Sequence, residues 1–97
     1  MGPEKRIEQR FSSWCRDQGL FCLKLQANGV VGFPDRTVLL PGGRCIFIEF
    51  KSPEGKLRAT QAARINALRN LGHSVLVTSE FNEAVEFVKQ EKVKTSV

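Results

Sequence analysis

The sequence predicts a single α/β domain, a mixed β-sheet flanked by helices in the order α-β-β-β-α-β-α. Apolar residues recur at helical spacing in three stretches, and four short apolar runs bounded by Gly, Pro or Asn lie between them. A length of 97 residues leaves room for one modest core. No repeat, low-complexity stretch or linker divides the chain.

Ile7, Phe11 and Trp14, followed by Cys15 and Gln18, mark an amphipathic first helix that should end near Gly19. It carries Glu4 and Glu8 one turn apart. The apolar run from Leu20 to Gln26 predicts a first strand, and Asn28-Gly29 a turn after it. A second strand fits Arg36 to Leu40. Pro41-Gly42-Gly43 is spaced as in a type II turn, so Arg44 to Lys51 should return antiparallel as a third strand. That hairpin sets Asp35 and Glu49 towards the same end.

Ser52 to Lys56 mixes Pro, Gly and charge and predicts an exposed loop. Ala62, Ile65, Leu68 and Leu71 then repeat every three residues as a second helix closed by Gly72. Ser74 to Thr78 is a short buried strand, and Phe81, Ala84, Val85 and Val88 mark a final helix. From Lys89 onwards no pattern remains, and the tail is expected to fray.

Composition narrows the function. Hydrophobic residues make up 41% and charged residues 26%, with no uncharged run long enough for a membrane span or signal peptide. A soluble, cytoplasmic protein is expected. Lys and Arg outnumber Asp and Glu by 15 to 10, and an excess of +5 on so small a domain draws it to polyanions, nucleic acid first. The three cysteines, Cys15, Cys22 and Cys45, lack C-x-x-C spacing and sit among apolar positions, which favours reduced thiols over a zinc site.

Strand alternation puts Glu49 and Lys51 on one face of the third strand, with Phe50 pointing to the other. Asp35 enters from the start of the neighbouring strand, after Gly32-Phe33-Pro34, where Pro34 fixes the backbone. Two carboxylates and a lysine converge. Hydrolysis of a phosphodiester needs a hard divalent cation, and carboxylate oxygens are the ligands it prefers. Asp35 and Glu49 can supply them, and Lys51 can orient the attacking water or stabilise charge growing on the phosphate.

Pro34-Asp35, thirteen intervening residues, then Glu49-Phe50-Lys51 resembles the signature of the PD-(D/E)xK nuclease superfamily. With Glu8 on the first helix, Gly32 ahead of Pro34-Asp35, Gln61 opening the second helix and Gly72 closing it, the chain resembles the VRR-NUC family, the virus-type replication-repair nucleases, as a stand-alone, phage-like member. The similarity covers about residues 4 to 80, within one domain spanning 1 to 97.

That resemblance implies a restriction-endonuclease-like core and Mg²⁺- or Mn²⁺-dependent DNA cleavage, in the cytoplasm of a bacterial or phage-infected host cell. It assigns Asp35, Glu49 and the Phe50 backbone carbonyl to the metal, Glu8 to its outer shell, Lys51 to catalysis and Gln61 to bracing that lysine or a phosphate oxygen. Glu4 competes with Glu8, but Glu8 lies three residues before Phe11 and eleven before Gly19, a spacing similar to that of the helix acid in junction-cleaving nucleases. The family commonly has a small hydroxyl residue where this chain has Arg58, which leaves the cap of the second helix open.

Lys24, Lys56, Arg58 and Arg64 are candidate contacts to the DNA backbone. Trp14 and Phe11 belong to an apolar stripe and read as core. His73 follows a helix-closing glycine and reads as a helix-end residue. Val30, Val31 and Phe33 cluster in a loop with no evident place in the core, which points to a homodimer interface. A two-fold dimer would match branched DNA such as a four-way junction, cut as paired nicks. The rival readings are a non-cleaving DNA-binding module of the same fold and an interaction domain that binds no nucleic acid.

Overall fold

The computed structural model describes residues 1–25 and 29–95. The elements follow in the predicted order: helix α1 (Pro3–Asp17), strands β1 (Phe21–Leu23), β2 (Arg36–Leu39) and β3 (Cys45–Phe50), helix α2 (Ala59–Asn70), strand β4 (Val75–Thr78) and helix α3 (Phe81–Thr95). They build one sheet ordered β1-β2-β3-β4, in which β1, β2 and β3 run antiparallel and β4 lies parallel to β3. The parallel pairing requires a long crossover, and α2 provides it.

Both faces of β3 are covered, which is why its sequence is apolar with little alternation. Ile46, Ile48 and Phe50 face a core shared with Phe11 and Cys15 of α1, Val38 and Leu40 around β2, and Ala84 and Val88 of α3. Phe47 faces the other way, towards Ile65 and Leu68 of α2 and Val75 of β4. Phe11 has no exposed surface and packs its ring 5.5 Å from that of Phe50. Truncating it to alanine should cost about 3–5 kcal/mol. Trp14 lies half-buried against the same core, as its place on the stripe predicts.

Helix α1 ends where Gly19 was expected to end it. The Gly19 N–H donates to the Arg16 carbonyl and the Leu20 N–H to the Cys15 carbonyl, a Schellman closure. Helix α2 closes the same way, Gly72 bonding to Arg69 and His73 to Leu68. His73 then sets its ring edge-on to Phe47 at 5.4 Å. The Cys15, Cys22 and Cys45 thiols are free. No helix among the described residues is long and apolar enough to cross a membrane.

Several boundaries differ from the sequence reading. The first strand stops at Leu23 rather than Gln26; Gln26, and Asn28 of the expected turn, lie outside the described residues. Leu23 pairs with Thr37, so the next pair would set Lys24 against Arg36, two cations that both turn to Glu8 instead. The hairpin corner at Pro41–Gly43 agrees with the sequence reading: Gly42 sits at φ 82°, ψ 12°, as the third residue of a type II turn requires, and the Leu40 N–H donates to the Arg44 carbonyl across the corner. Leu71 is 77% exposed, because α2 ends at Asn70 and turns away before Leu71 reaches the sheet.

The tail is the largest correction. Helix α3 continues to Thr95, and Glu91 is buried on it. Arg44 Nη2 meets Glu91 Oε1 at 2.7 Å, Arg44 Nη1 donates to the Glu91 carbonyl at 2.8 Å, and Lys94 Nζ holds Oε2 at 2.7 Å. A long-range ion pair holds a helix end that lacks an apolar stripe.

Candidate active site

The hairpin register sets Arg36 opposite Ile48, so Asp35, one residue before β2, lies beside Glu49. Two reciprocal bonds fix the pair. The Asp35 N–H donates to Glu49 Oε1 at 3.2 Å, and the Phe50 N–H donates to Asp35 Oδ2 at 2.9 Å. Phe50 thus anchors the site through its backbone while its ring stays in the core.

Glu49 and Lys51 project from the same face of the β3 segment, as alternation requires. Lys51 Nζ lies 3.1 Å from Glu49 Oε2 and donates to Gln61 Oε1 at 2.9 Å. Gln61 Nε2 returns a bond to Glu49 Oε2 at 3.2 Å. The amide orientation follows from its neighbours, because Oε1 faces two donors, Lys51 and the Arg58 N–H at 2.9 Å. That second bond is half of a capping box on α2. The other half is missing, since the Arg58 guanidinium has no acceptor to offer the helix.

Glu49 is 2% exposed. Burial pushes its carboxyl above the usual range, and the nearby Asp35 charge pushes the same way against the bonds from Lys51. Two adjoining carboxylates with only one ammonium between them hold an excess of negative charge. A divalent cation would relieve it, and an all-oxygen donor set suits a hard one. Among the described residues no group of three or more His, Cys, Asp or Glu side chains gathers, and Asp35 and Glu49 are the carboxylate pair that could hold a cation. Mg²⁺, which keeps several waters and needs one or two protein carboxylates, fits such a set.

Glu8 stands apart from this ring. It is 3% exposed on α1 and meets Arg36 Nε at 2.7 Å, Lys5 at 3.6 Å and Lys24 at 3.7 Å. Its partners are these cations rather than Asp35, Glu49 or Lys51. Glu4 is only half-buried. Arg36 joins the two clusters, since it follows Asp35 in the chain and its Nη1 also reaches the Cys22 carbonyl at 3.4 Å. The sequence reading took Arg36 only as the first residue of a strand. An arginine directly after a candidate metal ligand is the signal the sequence offers.

Lys56 and Arg58 are exposed near the start of α2, and Lys24 is exposed beside Glu8. Arg64 instead donates from Nε to the Val31 carbonyl at 3.2 Å. Arg69 bonds the Val75 carbonyl at 2.8 Å. Val30 and Val31 are exposed, at 37% and 65%, but Phe33 folds under the hairpin with its ring 5.5 Å from Phe47, which removes it from the proposed interface patch.

No family model matches the sequence. A protein described as "Putative nuclease p44", from Acyrthosiphon pisum secondary endosymbiont phage 1, is 39% identical over 74 residues, which cover 76% of this chain and 80% of the relative. A solved structure described as "VRR_NUC domain" superposes with a TM-score of 0.81 at 26% identity, over 92% of this chain and 97% of its own.

Proposed function

The chain belongs to the VRR-NUC family of nucleases, and from that premise we propose that it is a Mg²⁺- or Mn²⁺-dependent deoxyribonuclease whose centre is the ring of Asp35, Glu49, Lys51 and Gln61. One observation carries the proposal: Glu49, a buried carboxylate raised in pKa by burial and by the charge of Asp35 beside it, lies within bonding distance of a lysine braced by a glutamine. A cation held there would polarise the phosphate and make an attacking water more acidic.

Asp35, Glu49 and the Phe50 carbonyl would hold that cation. Lys51, with Gln61 fixing its ammonium, would orient the water or meet the charge that grows on the phosphate. Glu8 is assigned to the outer shell, its carboxylate oriented by Arg36. Lys24, Lys56 and Arg58 are assigned to the DNA backbone.

The preferred substrate is proposed to be branched DNA, cut as paired nicks by a homodimer in the cytoplasm of a bacterial or phage-infected cell. The exposed Val30 and Val31 support a dimer, as do Phe21 and Leu39, which pair across β1 and β2 and are 68% and 40% exposed. Labelled single strands, duplexes, flaps and four-way junctions, incubated with Mg²⁺, test the preference, and four-way junctions should be cut fastest. A sedimentation mass near 10.9 kDa, with and without DNA, would rule out the dimer and the paired nicks.

A further inference from the structure

The loop ahead of Asp35 touches α2 more closely than a side chain would permit. Gly32 sits at φ 81°, in the left-handed region that L residues avoid. A Cβ placed on it would lie 2.6 Å from the Thr60 carbonyl oxygen and 2.9 Å from the Gln61 nitrogen. Both are backbone atoms in the first turn of α2, so neither can yield without moving the helix.

One residue earlier, the Val31 carbonyl accepts the bond from Arg64 Nε at 3.2 Å, one turn further along α2. One residue later, Phe33 is seated on Phe47, and Pro34 after it is buried. The segment from Val31 to Asp35 is therefore fastened to α2 at one end and to the sheet at the other. Gln61 stands at the first end and Asp35 at the second. A shift of α2 would displace both the Lys51 brace and the carboxylate pair.

We propose that Gly32 and Arg64 are positioning residues: they dock the start of α2 onto the loop that delivers Asp35, and Arg64 serves this loop rather than the DNA backbone. The consequence for cleavage rests on the nuclease reading, whereas the docking itself does not. Gly32 admits no side chain because of both its φ and its neighbours. Arg64 supplies the hydrogen bond that keeps the loop from lifting.

The Phe50 amide reports on the docking, because its acceptor is Asp35 Oδ2 at 2.9 Å. Hydrogen exchange of that amide, followed by NMR without metal or DNA, is compared among wild type, Gly32→Ala and Arg64→Gln. Exchange should be about three- to ten-fold faster in Arg64→Gln, the range set by loss of one partly exposed hydrogen bond. Gly32→Ala should exceed it if it folds, and Arg64→Gln decides the question if it does not. DNA affinity of Arg64→Gln in Ca²⁺, measured against salt, should keep the wild-type slope. An unchanged Phe50 exchange rate in Arg64→Gln would overturn the proposal. So would a salt slope reduced by about one, the mark of a lost phosphate contact. If the wild-type protein cleaves no DNA with any divalent cation, the nuclease reading falls while the exchange comparison still decides the docking.

Discussion

Lys51 Nζ donates to Gln61 Oε1 at 2.9 Å, and the same oxygen caps α2 through the Arg58 N–H. The brace of the candidate catalytic lysine is thus also a helix-start device. Gln61→Ala should lower the rate constant about 10–100-fold, as for other groups that orient a metal-site residue, with KM changed less. It should also cost about 0.5–2 kcal/mol of stability through the lost cap. Single-turnover kinetics and thermal melting check the two effects separately. A slower rate without any loss of stability would leave the capping half unsupported.

Glu49 titrates above the ordinary carboxylate range because burial and Asp35 disfavour its charge. A raised folded-state pKa means that its contribution to stability is present below the unfolded value and is lost as pH rises through the folded one. A bound divalent cation should offset that loss. Mn²⁺ is therefore expected to raise the Tm at neutral pH and to have little effect in acid, where Glu49 is protonated. Melting curves against pH, with and without Mn²⁺, read this directly, and Glu49→Gln should reduce the Mn²⁺ effect. An equal Mn²⁺ shift in acid and at neutral pH, or in the variant, would mean that the ion binds elsewhere.

Glu91 responds to pH in the opposite sense. Burial raises its carboxyl, but bonds from Lys94, Ser74 and Arg44 outweigh burial and bring it down to about 2. A depressed pKa gives stability that is present above the ordinary value and lost as pH falls through the folded one. Glu91→Gln should lower the Tm at neutral pH, and its gap from wild type should narrow between about pH 4.5 and about pH 2. A gap that stays constant over this window would mean that the pairing with Arg44 and Lys94 does not hold the helix end.

Glu8→Ala should be severe and Glu4→Ala mild, although part of the first effect is structural. Removing Glu8 leaves Arg36, with only 14% of its side chain exposed, without its closest partner. Breaking a buried pair from one side costs about 3–5 kcal/mol. Glu8→Gln keeps an acceptor for Arg36 and separates the two roles. Its cleavage rate per folded molecule should still fall, and a wild-type rate would confine Glu8 to structure.

Asp35, Glu49 and Lys51 could be seen together in the sequence because a period of two and one tight corner fix which side chains of a hairpin meet. Gln61 became visible through family resemblance, since its spacing from Lys51 has no local meaning. Arg36 and Gly32 could not be read in the same way. The first depends on a buried acid 28 residues earlier and the second on a backbone contact with α2. Glu91 was hidden for a related reason: a polar helix end looks solvated until Arg44, 47 residues away, is seen to pair with it. Leu71 shows the reverse, an apolar residue in helical register that the chain leaves behind when Gly72 turns it.

The central claim is that Asp35 and Glu49 serve a cation that drives DNA cleavage, and metal-dependent single-turnover cleavage by wild type and Asp35→Asn tests it most directly. Wild type should cut with Mg²⁺ or Mn²⁺, stop in EDTA and stall in Ca²⁺, whose longer and looser coordination misplaces the water. Asp35→Asn should remain folded, retain most of its DNA affinity and cut at background rate. Full cleavage in EDTA, or by Asp35→Asn with Mg²⁺, would contradict the account.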